Sequence, residues 1–160
     1  MGKNIDLIFS IISRINTLKS IIRVYDLIHY HYENKNIPKK FNSTREVYES
    51  QTTLYILILS YLYSFFDKSG INITEIDTTY LKQKTKNKRE EIIKLWRKIE
   101  NPVTRIRHNL GFHGGSSPQI KNVIKAADEI DDNNLLPEIV ILLNELENFK
   151  KILEEELPTN

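Results

Sequence analysis

Cysteine is absent from this chain of 160 residues, and glycine and proline are scarce, with five of each. The absence of cysteine excludes disulfides, cysteine-ligated zinc, thioredoxin-like redox chemistry and a cysteine nucleophile. It also suits a reducing compartment, so we expect a cytoplasmic protein. No segment has the composition of a linker or a low-complexity tract. The length is that of one domain, and we expect residues 1–160 to fold as a single unit.

Long apolar runs are also missing. The most apolar stretch, Leu54–Phe66, has 13 residues and includes two serines and three tyrosines, whereas a spanning helix needs about 20 apolar residues. The first apolar stretch, Ile5–Ile15, is interrupted by Asp6 and Arg14 and lacks the basic leader of a signal peptide. We therefore expect no export signal and no membrane partner, and we interpret Leu54–Phe66 as a buried core helix.

Neither sign of charge dominates, because 23 Lys and Arg residues oppose 21 Asp and Glu residues and leave a net charge of +2. The large positive excess that is typical of nucleic-acid binders is therefore absent from the chain as a whole. The distribution, however, is uneven. Residues 82–107 contain ten basic and three acidic side chains, whereas residues 128–156 contain ten acidic and two basic ones. We expect one face or end to be positive and another negative.

The chain does have helical periodicity. Apolar residues recur at steps of three and four, as in Ile8, Ile11, Ile15 and Leu18, which is typical of helices with one apolar face. We therefore predict an all-α, up-and-down bundle of about five helices. The predicted helical segments are, in chain order, about Asn4–Glu33, Thr44–Phe66, about Thr79 through Trp96, a helix from Pro102, Pro118–Ile130, and Leu136 up to Pro158. The predicted N-cap of the second segment is Ser43 or Thr44, and the predicted cap of the helix from Pro102 is Asn101.

Helix breakers separate these segments. Gly70 is a natural left-handed stop for the second helix, and Ile71–Tyr80 is either a loop or a short extended piece. Three glycines and one proline fall between positions 111 and 118, the densest group of breakers in the chain. We therefore predict a turn or loop over Leu110–Pro118.

Familiar catalytic motifs are missing. The chain has no Gly-rich phosphate loop, no Gly-x-Ser-x-Gly elbow and no His-Glu-x-x-His pair, so the common nucleotide-binding, hydrolase and metalloprotease motifs are excluded. His29 and His31 are two residues apart, about 200° around a helix, and are poorly placed to chelate one metal ion together. We expect neither a metal nor another cofactor.

The segment Arg105–Gly115 has an unusual composition. It contains two arginines, two histidines and an asparagine within nine positions, where a helix meets the predicted loop. Arginine presents a planar fork of donors to phosphate oxygens, and histidine can transfer protons in both directions near neutral pH. RNA supplies its own nucleophile, the 2′-hydroxyl. These two residue types therefore suffice for cleavage of an RNA phosphodiester without a metal.

Arg107 and His113 are the residues that we select for this chemistry. On an uninterrupted helix, their spacing of six would place them about 240° apart. Because Gly111 stops the helix near Leu110, His113 can fold back toward the helix end that carries Arg107, and Phe112 can anchor the turn in the core. His113 would then transfer the proton, and Arg107 would stabilise the charge on the phosphate.

This pattern resembles the HEPN (higher eukaryote and prokaryote nucleotide-binding) superfamily of helical RNases and RNA-binding domains, which occur in prokaryotic toxins and phage-defence systems. The superfamily combines a small all-α bundle with an arginine, a following polar residue, and a histidine after four to six intervening residues. Here the match is Arg107, His108 and, after five intervening residues, His113, with Phe112 just before the histidine. The specific match spans seven residues, whereas helix order and length agree over most of the chain.

The resemblance implies a homodimer in which two motifs face one another and form a composite cleft, with Arg107 and His113 as catalytic residues and no metal. It implies cleavage of RNA to a 2′,3′-cyclic phosphate, in a toxin or defence effector with an antitoxin or another defence-system protein as a partner. His108 or Asn109 would orient the site. Positive charge near the site would bind the RNA backbone whatever its sequence, and the residues predicted for this role are Arg97, Lys98 and Arg105.

Two other classes of function remain open. The bundle could bind RNA or a protein without cutting, as some members of the superfamily do, or the opposed charged segments could mediate self-association or docking. Structural alternatives also exist for single residues. Arg107 could pair with an acidic residue of the last helix, residues 82–98 could be a solvated helix face, and Trp96 is expected in the core.

Overall fold

The computed structural model describes residues 2–34, 41–68, 71–109 and 134–157. Within these ranges the secondary structure consists of four α-helices and one short 3-10 turn, without a β-strand. The predicted all-α fold is therefore confirmed for the described residues. The elements are α1, Gly2–Glu33; α2, Thr44–Tyr63; the 3-10 turn, Ile73–Glu75; α3, Gln83–Asn109; and α4, Leu136–Glu154.

Each of these helices packs against two others, so that together they enclose one core. α1 contacts α2 and α4, and α3 contacts the same two helices. α1 and α2 run antiparallel, because Tyr25 lies against Tyr55 while Arg14, nearer the start of α1, binds Ser64 just after the end of α2. Residues at the centre of the core, all fully buried, include Ile11, Leu59, Leu62, Ile92, Ile99, Leu142, Leu146 and Phe149.

The N-cap of α2 is Ser43, one of the two residues predicted for that position. The Ser43 hydroxyl accepts a hydrogen bond from the Glu46 backbone N–H at 3.2 Å, and the Glu46 carboxylate accepts one from the Asn42 backbone N–H at 2.6 Å. The first of these bonds satisfies one of the donors that the first turn of a helix leaves without partners. At its other end, α2 stops at Tyr63, before the predicted end. Gly70, the predicted stop, lies outside the described residues.

The predicted helix boundary at Asn101 and Pro102 is wrong, because α3 continues through Pro102 to Asn109. A proline inside a helix costs about 3 kcal/mol, through a lost hydrogen bond and a steric clash. Burial of each large aliphatic side chain contributes about 1.5–3 kcal/mol, so one uninterrupted apolar stripe outweighs that cost. The stripe spans the proline, and its members, each at most 1% exposed, are Ile92, Ile99, Val103 and Ile106.

Other predicted boundaries differ in part. α3 begins at Gln83, later than the predicted Thr79, and residues 71–82 form a connection that contains the 3-10 turn. The predicted loop Leu110–Pro118 and the predicted helix Pro118–Ile130 lie outside the described residues. The part of the chain that the structure describes therefore has four α-helices, where about five were predicted for the whole.

Within the described residues, three lysines of the basic segment pair with glutamates of the acidic segment. They pair across the contact between α3 and α4, which run antiparallel. Charge is thus neutralised within the chain along this contact. The pairs are Lys84 with Glu155, Lys88 with Glu145 at 2.5 Å, and Lys98 with Glu138 at 2.9 Å.

Candidate functional site

The predicted motif begins at the end of α3. Arg107 and His108 lie in the last turn of this helix, and Asn109 is its final residue. His113, the second predicted catalytic residue, lies outside the described residues, together with the rest of the predicted loop. The structure therefore shows where Arg107 and His108 of the motif lie and which helices surround them.

Arg107 lines an open cleft of about 240 Å³ between α1, α2 and α3. Most of the wall comes from the C-terminal end of α2, while α1 and α3 contribute one arginine each. The lining thus includes two arginines and one aspartate together with serine and tyrosine residues. Its lining residues are Arg14, Leu57, Ser60, Tyr61, Tyr63, Ser64, Asp67 and Arg107.

Arg14 reaches the cleft because it occupies a position on the apolar stripe of α1. Leu7, Ile11 and Leu18 precede and follow it at steps of three and four, and the last two are at most 2% exposed. The Arg14 guanidinium is half-buried, and its Nη1 donates to the carbonyl oxygen of Ser64 at 3.2 Å. This carbonyl belongs to the C-cap of α2. Arg14 therefore places positive charge at the negative end of the α2 dipole.

Ser60 lines the same cleft and is 9% exposed. Its hydroxyl oxygen is buried and makes no hydrogen bond with the described residues. Serine and threonine inside helices commonly donate to a carbonyl one turn earlier, and Thr52 and Thr53 do so in this helix. In the described part of the chain, the Ser60 hydroxyl therefore retains its capacity to donate a hydrogen bond.

Tyr63 connects the cleft to α3. Its ring lies edge-on to the ring of Trp96 and to that of His108, with 6.1 Å between ring centroids in each case. Burial raises the pKa of the Tyr63 phenol above its ordinary value of 10.0, Asp67 raises it further, and Arg107 opposes the change. The phenol is therefore protonated at neutral pH.

The predicted RNA-binding residues Arg97, Lys98 and Arg105 are exposed on α3. Lys98 Nζ lies 2.9 Å from each carboxylate oxygen of Glu138, on the α4 side of the bundle. At 100° per residue, Arg105 lies about 20° from Lys98 and about 200° from Arg107, whereas Arg97 lies about 80° from Arg107. The structure thus brings Arg107 to the cleft and leaves Lys98 and Arg105 on another side of α3.

Arg14, Ser60 and Tyr63 were not identified from the sequence as site residues. Arg14 gave a usable signal, because it is a charged residue on an otherwise apolar helical stripe. Ser60 gave none, since a serine in an apolar helix looks like any other tolerated polar residue. Its position in the cleft depends on how α1 and α3 pack against α2, which local sequence does not specify.

Within the described ranges, no group of three or more His, Asp or Glu side chains is placed to hold a metal ion. The described helices also include none that is both long enough and apolar enough to cross a membrane. Comparison with protein-family models, curated protein sequences and solved structures gives no match to this chain. Function therefore has to follow from the chemistry of the cleft and of the motif that begins beside it.

Proposed function

We propose that this protein is a metal-independent endoribonuclease that acts as a homodimer and cleaves RNA through attack of the 2′-hydroxyl. Arg107 and His113 are the proposed catalytic residues, in a composite cleft formed by two copies of the chain. The observation that carries the proposal is the position of Arg107, at the end of α3 and in the wall of a cleft that also holds Arg14. Two arginines against one aspartate in the lining of one cleft favour a phosphate ligand.

The proposed reaction is a transfer of the phosphoryl group within the RNA strand. His113 removes the proton of the 2′-hydroxyl, and the resulting oxygen attacks the adjacent phosphorus. Arg107 stabilises the negative charge that accumulates on the non-bridging oxygens. The bond from phosphorus to the 5′-oxygen breaks, and that oxygen takes up a proton. The products are a 2′,3′-cyclic phosphate and a 5′-hydroxyl, and no further reactant is consumed.

The last turn of α3 supports the proposed role of His108 as an orienting residue. Its ring lies against Tyr63 of α2, so this contact holds the helix end that carries Arg107. Asn109, the final residue of α3, leads toward the segment that carries His113 and is the second proposed orienting residue. The exposed residues Arg97, Lys98 and Arg105 remain proposed contacts to the RNA backbone.

The biological part of the proposal rests on the resemblance to the HEPN superfamily. An endoribonuclease of this type would act in the cytoplasm as a toxin or as a phage-defence effector. An antitoxin or another defence-system protein would be its partner. The alternative is a non-catalytic RNA-binding or protein-interaction module, in which Arg107 would contact RNA without cleavage.

Incubation of end-labelled RNA with the purified protein in EDTA tests the proposal. The variants are Arg107→Ala and His113→Ala, and the matched control is Arg45→Ala, because the Arg45 side chain is 86% exposed at the start of α2. The wild type and the control should cleave RNA and leave a cyclic phosphate. Each of the two site variants should lose about 100-fold or more in rate.

Two outcomes would contradict the mechanism. The first is cleavage that requires an added metal ion, and the second is cleavage that survives both site substitutions. Binding of RNA by the wild type without any cleavage would favour the non-catalytic alternative.

A further inference from the structure

A second cleft, which we call the α1–α4 groove, has a volume of about 390 Å³ and is bounded by α1, α4 and part of α2. None of the residues that line it also lines the cleft beside Arg107. Most of its lining is aliphatic, with polar side chains at a few positions only. The aliphatic residues of its two long walls include Ile15, Leu18 and Ile22 of α1 and Leu136, Val140 and Leu143 of α4.

The α4 wall of the groove is apolar, and the described helices leave it partly uncovered. Leu136 and Val140 are 48% and 49% exposed. Together with Leu143 they form a stripe that lies about 100° around α4 from the residues that face the core. The core-facing residues, each at most 2% exposed, are Ile139, Leu142, Leu146, Phe149 and Leu153. α4 therefore has a wider apolar surface than the described helices bury, and an exposed apolar patch of this kind is typical of an interaction site.

The shape of the groove suits the apolar face of a helix. Its lining residues run from Ile15 to Asp26 on α1 and from Leu136 to Glu147 on α4, which is about 16 Å along each helix, or about three turns. Helices that dock in grooves bury side chains spaced at i, i+3 or i+4, and i+7, and such a row spans about 10 Å. Sites for small molecules instead enclose most of the ligand around a few converging polar groups, whereas the half-exposed wall here leaves one side of the groove open.

The charge at the groove favours a basic occupant. Its charged lining residues are Lys19, Asp26 and Glu147. Lys19 Nζ donates to the Glu147 carboxylate at 2.6 Å, and this hydrogen bond holds the pKa of Glu147 below its ordinary value of 4.5. The pair is therefore ionised, and its two charges cancel. The exposed Asp26 carboxylate has neither an ion pair nor a hydrogen bond with the described residues, so one negative charge is left for a lysine or arginine of a partner.

We propose that the α1–α4 groove binds an amphipathic helix of another protein, which has an aliphatic face and a basic side chain at the edge of that face. The aliphatic face covers Leu136, Val140 and Leu143, and the basic side chain pairs with Asp26. An acidic helix lacks the complementary charge. The proposal is independent of the endoribonuclease activity, because the groove shares no lining residue with the cleft beside Arg107.

A synthetic peptide is the probe for this site. It is a helix of about 14 residues, with leucines at i, i+4, i+7 and i+11 and lysines beside them. Two comparison peptides have the same length. One contains the same residues in an order that gives no apolar face, and the other has glutamine in place of each lysine. Binding of each fluorescein-labelled peptide to the whole chain is measured by fluorescence anisotropy.

Two variants and one control locate the binding. Val140→Gln should weaken binding of the lysine peptide about fivefold, since about half of this side chain remains to be buried by a partner. Asp26→Asn should weaken it about threefold and should leave binding of the glutamine peptide unchanged. The matched control is Ile141→Gln, because Ile141 is 45% exposed on the same helix but is not among the residues that line the groove. The control should bind like the wild type.

Several results would overturn the proposal. It is wrong if the wild type shows no saturable binding of the lysine peptide, if the peptide without an apolar face binds as tightly, or if Val140→Gln and Ile141→Gln weaken binding equally. If the peptide does not bind and Val140→Gln converts a dimeric wild type to a monomer in light scattering, a second copy of the chain is the occupant instead. Should Val140→Gln fail to fold, Asp26→Asn decides alone through the difference between the lysine and glutamine peptides, because the Asp26 side chain makes no hydrogen bond or ion pair with the described residues that its replacement would break.

Discussion

The indole ring of Trp96 lies parallel to the ring of Phe66, with 4.4 Å between the ring centroids and 4° between the ring planes. Trp96 belongs to α3, and Phe66 follows the C-terminal end of α2. Asp67, the next residue, lines the cleft, and Tyr63 contacts the edge of the same indole. The stack therefore fixes the end of α2 against α3 and maintains the cleft between them.

Removal of this stack should destabilise the whole bundle. Trp96 is 4% exposed, and truncation of a buried large aromatic side chain typically costs about 3–5 kcal/mol. We expect Trp96→Ala to lower the free energy of unfolding in urea by this amount, measured by circular dichroism. Trp96→Phe keeps an aromatic ring in the site and should lose less. Tyr80→Ala is the control, because Tyr80 is 82% exposed and its removal should change stability by less than about 0.5 kcal/mol. Equal losses in Trp96→Ala and Tyr80→Ala would contradict the role of the stack.

Ser60→Ala should make the protein slightly more stable. The Ser60 hydroxyl is buried without a partner among the described residues, so its removal breaks no hydrogen bond that the structure shows and relieves a desolvation cost. Alanine is also the better helix former by roughly 0.5 kcal/mol. We expect a gain of about 0.5–1 kcal/mol in the free energy of unfolding, measured in urea. Thr53→Ala is a useful comparison, since Thr53 is exposed and its hydroxyl already donates to the Glu49 carbonyl at 2.8 Å. A clear loss of stability in Ser60→Ala would show that this hydroxyl has a structural partner.

The ion pair between Lys88 and Glu145 should give the fold a dependence on acid pH. The hydrogen bond from Lys88 holds the pKa of the Glu145 carboxyl below its ordinary value of 4.5, and burial partly opposes this shift. A carboxyl with a lowered pKa in the folded state stabilises the fold above its unfolded pKa. That contribution is lost as the pH falls through the lowered pKa.

Glu145→Gln should therefore lower the free energy of unfolding at pH 7 by on the order of 1 kcal/mol. The difference from the wild type should shrink as the pH falls below 4.5, the ordinary value for this carboxyl. Glu138→Gln is the matched control, because its partner Lys98 is 52% exposed and water screens that pair to a few tenths of a kcal/mol. A difference between Glu145→Gln and the wild type that persists unchanged at low pH would rule out the pair as its cause.

Local sequence patterns predicted most of the helices correctly. The apolar stripe of α1, the Ser43 cap of α2 and the core position of Trp96 all follow from spacing and from residue chemistry that act within one or two turns. The prediction at Pro102 was wrong because it considered only the local preference of proline. Its local preference is to begin a helix, but the buried residues on both sides of it stabilise a continuous α3, and that stabilisation comes from contacts with other helices.

Of the residues that line the cleft, only Arg107 was selected from the sequence as a site residue. Arg107 was identified from the motif, whereas Arg14 and Ser60 lie on other helices and enter the cleft only through packing. The pairing of the two charged segments also depends on how the helices pack. Their compositions are visible in the sequence, but the ion pair of Lys88 with Glu145 requires that the two residues lie opposite each other across the contact between α3 and α4.

The oligomeric state bears directly on the composite cleft, because the proposed site needs motifs from two copies of the chain. Light scattering coupled to size-exclusion chromatography should give about 38 kDa at micromolar concentration, twice the 18.9 kDa of one chain. Since a dimer dissociates on dilution, the specific activity should also fall when the protein is diluted below the dissociation constant of the dimer. Arg107→Ala should have the mass of the wild type, which would separate loss of chemistry from loss of assembly. An active protein with a mass of one chain at every concentration would show that a single copy contains the whole site.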